Sequence, residues 1–236
     1  MSKKDFPRGF GRGIPVGVGY FSVSFGFGAM AAAQGIRALE AALISLTNLT
    51  SAGQFAGLTL IVAGTTLWEL ILTQLVINSR YALMSLALSQ KMGTKVGFFQ
   101  RLIVAFFNTD EIFALAMAEK EPLSTSFMLG LGTAPIVGWT LGTLTGALAG
   151  SVLPEQIRMA LGVMLYGMFI AIVVPPARKE KPVLAAVLLA LVLSCAFVWV
   201  PGLKEVSSGI AIVICTVAAA AVCAGLFPIR EEEAEA

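Results

Sequence analysis

Residues 183–200 read VLAAVLLALVLSCAFVWV, a run without a single charged side chain. A helix needs about 20 apolar residues to cross the hydrocarbon core of a bilayer. Pro201 follows directly, as expected of a residue that cannot continue a helix. This stretch therefore predicts a membrane-spanning helix.

Similar apolar runs recur along the whole chain. Hydrophobic residues make up 57% of the sequence and charged residues only 13%, which is too few for the hydrated surface of a soluble domain. We therefore predict an all-α fold, a polytopic transmembrane helical bundle with six to eight membrane segments that forms one domain over residues 1–236 in the lipid bilayer. The apolar windows are residues 14–33, 41–63, 67–88, 102–118, 125–150, 157–174, 183–200 and 206–227.

Two of these windows are interrupted by polar residues, TNLTSAGQ at 47–54 and NTDE at 108–111. Irregular backbone at membrane depth is tolerated where it is buried in protein or lines a wet cavity, and transporters place binding sites at such breaks. The pattern predicts broken or re-entrant segments. An alternative is an unbroken helix whose polar face packs against its neighbours.

The distribution of Lys and Arg predicts the orientation of the chain, because cytoplasmic loops carry an excess of these residues. Both crossing and re-entrant versions of windows 41–63 and 102–118 leave the termini in the cytoplasm. We expect a cytoplasmic N-terminal segment at residues 1–12 and an acidic cytoplasmic tail at 229–236. The first window follows basic residues as a signal peptide does, but it is rich in glycine and followed by further windows, so we expect it to be retained.

Several classes of chemistry have no support in the composition. The chain has no histidine, which excludes a histidine metal site, a Ser-His or Cys-His nucleophile pair and a histidine proton relay. Cys195, Cys215 and Cys223 stand singly in apolar runs, as small packed side chains do. No extended basic face favours nucleic acid, and we expect no cofactor.

A few polar residues inside the windows are the candidates for a binding site. An ionised group in hydrocarbon is costly, so it should be paired, hydrated or functional. We predict that Arg80 pairs with Asp110 or Glu111; alternatively, these charges only pin two helices together. Charged and amide groups beside apolar surface suit a zwitterionic solute with an apolar side chain. The candidate substrate or coupling residues are Asn48, Gln54, Asn78, Arg80, Asp110 and Glu111.

Two other patterns concern packing. Glycines repeat every fourth residue at 138–150 and again at 9–17, a spacing that lets helix backbones approach closely. We expect these faces to pack within the chain rather than against a partner. Glu69 stands beside Trp68 near a window end, where we expect its carboxylate to reach the membrane interface.

Five short motifs stand in order along the chain: GIPVG at 13–17, FGFG at 25–28, SAGQF at 51–55, NSRY at 78–81 and TDE at 109–111. With these motifs the sequence resembles the AzlC family of bacterial branched-chain amino acid permeases over residues 6–227. The resemblance implies export of branched-chain or similar apolar amino acids and a small AzlD-like membrane subunit as partner. Proton coupling is a separate expectation, because Arg80 and Asp110 or Glu111 would change partners as substrate or protons bind. Gln54, Asn78, Arg80, Asp110 and Glu111 match positions that recur in the family. Tyr81 stands where the family tends to have histidine, which bears on coupling and specificity.

The function predicted from these features is secondary transport of an apolar amino acid out of the cell, across the cytoplasmic (inner) membrane. Two alternatives belong to other classes: a membrane scaffold or receptor subunit that moves no solute, and an intramembrane enzyme. An aspartyl enzyme is disfavoured because Asp110 and Glu111, adjacent on a helix, would point about 100° apart.

Overall fold

The computed structural model describes residues 5–92, 96–120, 122–150, 156, 170 and 173–228. The predicted window 157–174 falls almost entirely outside these residues, as does the acidic tail at 229–236. Within the described residues the secondary structure is helical and contains no strand, which confirms the predicted all-α fold. The helices are α1 (Asp5–Ala33), α2 (Ala38–Thr47), α3 (Ser51–Val62), α4 (Leu67–Asn78), α5 (Arg80–Lys91), α6 (Phe98–Phe106), α7 (Asp110–Met117), α8 (Thr125–Gly150), α9 (Lys181–Trp199) and α10 (Ser208–Leu226).

Four helices in the described part of the chain, α1, α8, α9 and α10, are long and apolar enough to cross a membrane. The pair α4 and α5 makes a fifth candidate if it is counted as one bent span, and α2 and α3 are shorter apolar helices. The first helix begins at Asp5, so it includes most of the segment expected to precede the membrane.

The two predicted breaks are present. The chain leaves helical structure at residues 48–50, between α2 and α3, and at 107–109, between α6 and α7. In both places the polar residues that follow the break begin the next helix. A third break, at Ser79, has no counterpart among the predictions, although Asn78, Ser79 and Arg80 form a polar triplet in the middle of window 67–88.

The described residues fall into two compact units, one formed by residues 5–58 and 78–150 and the other by 59–77 and 173–228. In the first unit α1 and α8 lie side by side and run parallel. Where Gly13 and Gly146 contact the opposite helix, an added Cβ would lie 2.4 Å from the carbonyl oxygen of Leu131 and 2.0 Å from that of Phe25. The glycine faces therefore pack within the chain, as expected.

In the second unit α9 packs against α10, and α4 contributes a cap to α10. The Glu69 carboxylate accepts a hydrogen bond of 3.0 Å from the backbone N–H of Gly209, in the first turn of α10. Because the first N–H groups of a helix have no partner within the helix, this carboxylate satisfies one of them. Glu69 thus has a packing role, and the interfacial position expected of its carboxylate stays a prediction.

Candidate functional site

Side chains around the first break form a buried polar cluster of Ser45, Gln54, Trp139 and Thr143. The Trp139 Nε1–H donates to Gln54 Oε1 at 2.9 Å, and the Gln54 amide donates to Ser45 Oγ. Ser45 and Thr143 share a hydrogen bond of 2.6 Å between their hydroxyls. Gln54 is only 1% exposed, so its amide is enclosed by packed side chains instead of facing an open cavity.

Gln54→Ala is expected to lower the thermal stability of the protein, measured as the unfolding midpoint in detergent. The change leaves the buried Trp139 N–H without its acceptor and removes the donor to Ser45 Oγ. A buried polar group left unpaired costs about 1–3 kcal/mol. Gln34→Ala is the matched control, because Gln34 is exposed in the turn after α1. Equal midpoints for the two variants would contradict a stabilising role for the buried polar cluster.

Asn48, at the first break itself, makes a local contact. Its Oδ1 accepts a hydrogen bond of 2.6 Å from the Thr50 hydroxyl, and its backbone N–H closes the end of α2 on Ile44. Such side-chain contacts stabilise a non-helical turn. A contact of Asn48 with substrate stays a prediction.

The second break has a different character, because charged side chains gather beside it. Arg80 Nη1 lies 2.7 Å from Asp110 Oδ2, so the predicted ion pair is present. The two side chains are 44% and 47% exposed. Glu111, next along α7, contacts the hydroxyl of Tyr20 on α1. We call Tyr20, Arg80, Asp110 and Glu111 the central charged cluster.

Neighbouring polar groups hold this cluster in place. The Tyr20 hydroxyl also lies 2.7 Å from Thr109 Oγ1, at the residue that precedes α7. The Arg80 guanidinium stacks over the Tyr81 ring at 4.9 Å and donates a hydrogen bond of 3.1 Å to its hydroxyl. Arginine is suited to such combined stacking and pairing.

Asn108 is a buried polar group within the second break. It is 4% exposed, and its Nδ2 donates a hydrogen bond of 3.0 Å to Ser85 Oγ. Its Oδ1 has no hydrogen-bond partner among the atoms that the structure describes. Most buried polar atoms in native proteins are paired, so this oxygen is an acceptor whose partner is not among the described atoms.

The central charged cluster lies at mid-depth of the longest helix. Tyr20 is next to the midpoint of the 29 residues of α1, about 20 Å from either end at 1.5 Å per residue. Trp139, near the middle of α8, contacts Tyr20 edge to face with ring centroids 5.1 Å apart. A helix of this length is long enough to cross the hydrocarbon core, and Tyr20 lies within its apolar window at residues 14–33.

The structure thus brings together three of the six predicted site residues, Arg80, Asp110 and Glu111. Asn78 ends α4 two residues before Arg80, whereas Gln54 belongs to the buried polar cluster. Tyr20 and Trp139 were missed by sequence reasoning. The one signal for Tyr20 was a polar hydroxyl in the middle of a glycine-rich apolar window.

This arrangement defines a class of protein: a multi-pass helical membrane protein with charged groups at a helix break, beside the apolar middle of a long helix. Comparison with known sequences then identifies the family. The profile of the family described as AzlC protein matches residues 15–153, and the chain belongs to this family. The family is associated with branched-chain amino acid transport.

Individual relatives agree with this assignment. The chain is 28% identical to the inner membrane protein YgaZ of Escherichia coli (strain K12) over 183 residues, which cover 75% of each protein. It is 33% identical over 184 residues to an uncharacterized membrane protein of Archaeoglobus fulgidus, covering 77% of this chain and 80% of the relative. No solved structure matches the chain.

Proposed function

We propose that this chain is a secondary transporter that exports branched-chain or other apolar amino acids across the cytoplasmic membrane, with the central charged cluster as its substrate site. The observation that carries the proposal is the Arg80–Asp110 ion pair, which lies at a helix break and remains half-exposed at mid-depth of α1. Charged groups in hydrocarbon are costly and typically mark solute or ion pathways.

The chemistry of the cluster suits a zwitterion. An amino acid that enters between Arg80 and Asp110 places its carboxylate on the guanidinium and its ammonium on the Asp110 carboxylate, so each charge exchanges one partner for another. Asn108 Oδ1 is a further acceptor close to the break. The bound molecule therefore needs no unpaired charge in the low-dielectric interior.

The same arrangement supports proton coupling as part of the proposal. Protonation of Asp110 removes the partner of the substrate ammonium and so favours release. If the proton enters from the outside, where a respiring cell keeps it concentrated, release occurs there and the cycle exchanges a proton for an amino acid. The Tyr20 hydroxyl holds Glu111 beside this site. The Glu111 side chain is a second carboxylate that can take up the proton. Tyr81 takes the position where the family tends to have histidine, so these carboxylates carry the proton in this chain.

The proposal also includes a small AzlD-like membrane subunit and both termini in the cytoplasm. Support for the orientation comes from the excess of Lys and Arg on the side that would carry both termini. Support for the partner comes from the family.

An efflux assay tests the proposal. Cells are loaded with labelled valine, leucine, isoleucine or methionine, and the rate of loss is measured with this chain alone, with the small subunit, and with neither. We expect faster loss of at least one of these amino acids, slowed when the proton gradient is collapsed. Labelled lysine serves as the control solute. If none of the four is exported faster under any condition, the chain is not the proposed exporter, and a non-transporting scaffold or receptor subunit becomes the better interpretation.

A further inference from the structure

The short helix α7, which carries Asp110 and Glu111, is held at its other end by a second group of charges. Lys91 Nζ donates hydrogen bonds to the carbonyl oxygens of Met117 at 2.6 Å and Glu119 at 2.5 Å. The Arg12 guanidinium forms an ion pair with the Glu119 carboxylate. We call Arg12, Lys91 and Glu119 the peripheral charged cluster.

The two clusters are in register along α7. Tyr20 and Arg12 are eight residues apart on α1, and their partners Glu111 and Glu119 are eight residues apart on the antiparallel α7 segment. Eight residues of helix span about 12 Å. The contacts with α1 therefore match at both ends, and α5 also contacts both ends of this segment, through Arg80 and Lys91.

Among the described residues, the middle of α7 is held by apolar packing. Ile112 and Ala116 are fully buried in a core with Leu88, Val104 and Phe127. Polar contacts that join α7 to α1 and α5 are thus found at the two ends of the helix. Apolar packing is not directional, so these end contacts determine how the helix is oriented.

Each contact in the peripheral charged cluster satisfies a group that would otherwise be costly. The Glu119 side chain is only 6% exposed, and a buried carboxylate without a cation is strongly destabilising. The last carbonyl groups of a helix lack partners within the helix, and Lys91 supplies one. Loss of either contact therefore favours a position of α7 in which its C-terminal end reaches water.

We infer that Arg12, Lys91 and Glu119 are positioning residues for transport, holding α7 so that Asp110 meets Arg80, and that their release opens the path to the central charged cluster from the side of the membrane that carries residues 5–12. The inference rests on the proposed function. The peripheral charged cluster lies about 12 Å from Tyr20 along α1, toward the helix start at Asp5. An eight-residue helix is short enough to move as one piece, so freeing one end changes the position of the other.

Thiol labelling tests the inference without requiring transport. The three native cysteines are replaced by alanine, Ala116→Cys introduces a thiol at a fully buried position of α7, and a membrane-impermeant maleimide is applied from each side of oriented vesicles. Arg12→Ala and Glu119→Gln are expected to increase labelling from the side of residues 5–12 about fivefold, the lower end of typical coupling between sites. Labelling from the opposite side should not increase.

Arg37→Ala is the matched control, because it breaks an Arg–Glu ion pair with Glu40 at an exposed site outside α7. The inference is overturned if Arg12→Ala and Glu119→Gln label as Arg37→Ala does, or if labelling rises equally from both sides, which would indicate general loosening of the fold. Export is measured in the same vesicles. Wild-type protein that exports no amino acid refutes the proposed function, whereas export together with unchanged labelling refutes only the role of the peripheral charged cluster.

Discussion

Replacing Arg80 by alanine is expected to reduce export of apolar amino acids about ten- to hundredfold, because a hydrogen bond to a charged group contributes about 1.5–3 kcal/mol. The substrate carboxylate loses its cation, and Asp110 is left without its partner at 2.7 Å. Asp110→Asn is expected to have an effect of similar size, since a neutral amide neither pairs with the substrate ammonium nor takes up a proton. Initial rates of labelled valine or leucine export from proteoliposomes measure both effects.

The charge-swapped variant Arg80→Asp with Asp110→Arg separates binding from simple helix pinning. If the pair only joins α5 to α7, the swap restores the ion pair and export together. If the pair binds a zwitterion in one orientation, the swap restores the unfolding midpoint and leaves export low, because the new arginine lies beside Glu111. Export at the wild-type rate in the swapped protein would rule out substrate binding by this pair.

Gly13→Ala is expected to destabilise the folded protein by about 1–3 kcal/mol, as overpacking of a tight contact does. The added methyl group would lie 2.4 Å from the backbone oxygen of Leu131, and neither backbone can give way without separating α1 from α8. The unfolding midpoint in detergent, together with the yield of monodisperse protein, measures the change.

Gly11→Ala provides the control for this prediction, only two residues away on the same helix. Nothing lies within 4 Å of a Cβ at Gly11, so alanine is expected to stabilise α1 slightly, because alanine is the better helix former. The two substitutions therefore have opposite expected signs. Equal midpoints for the two variants would mean that the α1–α8 contact is looser than the structure describes.

The membrane fold and its breaks could be predicted from the sequence because both depend on local composition. Apolar windows of membrane length and the polar runs at 47–54 and 108–111 are visible without any knowledge of contacts. The Arg80–Asp110 pair was predictable for a similar reason, since few charges in the apolar windows leave few partners to choose from.

Other contacts depend on long-range geometry that composition does not contain. Tyr20 meets Glu111 across 91 positions of sequence, and Trp139 meets Gln54 across 85. No periodicity marks these pairs, because each residue stands alone in its own window. Arg12 and Glu119 were equally hidden, since both stand near window ends where a charged side chain is expected to reach water.

The contact between α1 and α8 also limits which parts of the protein can travel during a cycle. Its glycine faces fit backbone against backbone, so a shift of one helix along the other by a single residue would drive side chains into peptide oxygens. These two helices should therefore behave as one stiff body whose amide protons exchange slowly with solvent. Movements that let a transported solute pass the first unit must therefore occur in the short helices of that unit. The backbone amides of these short helices should exchange faster.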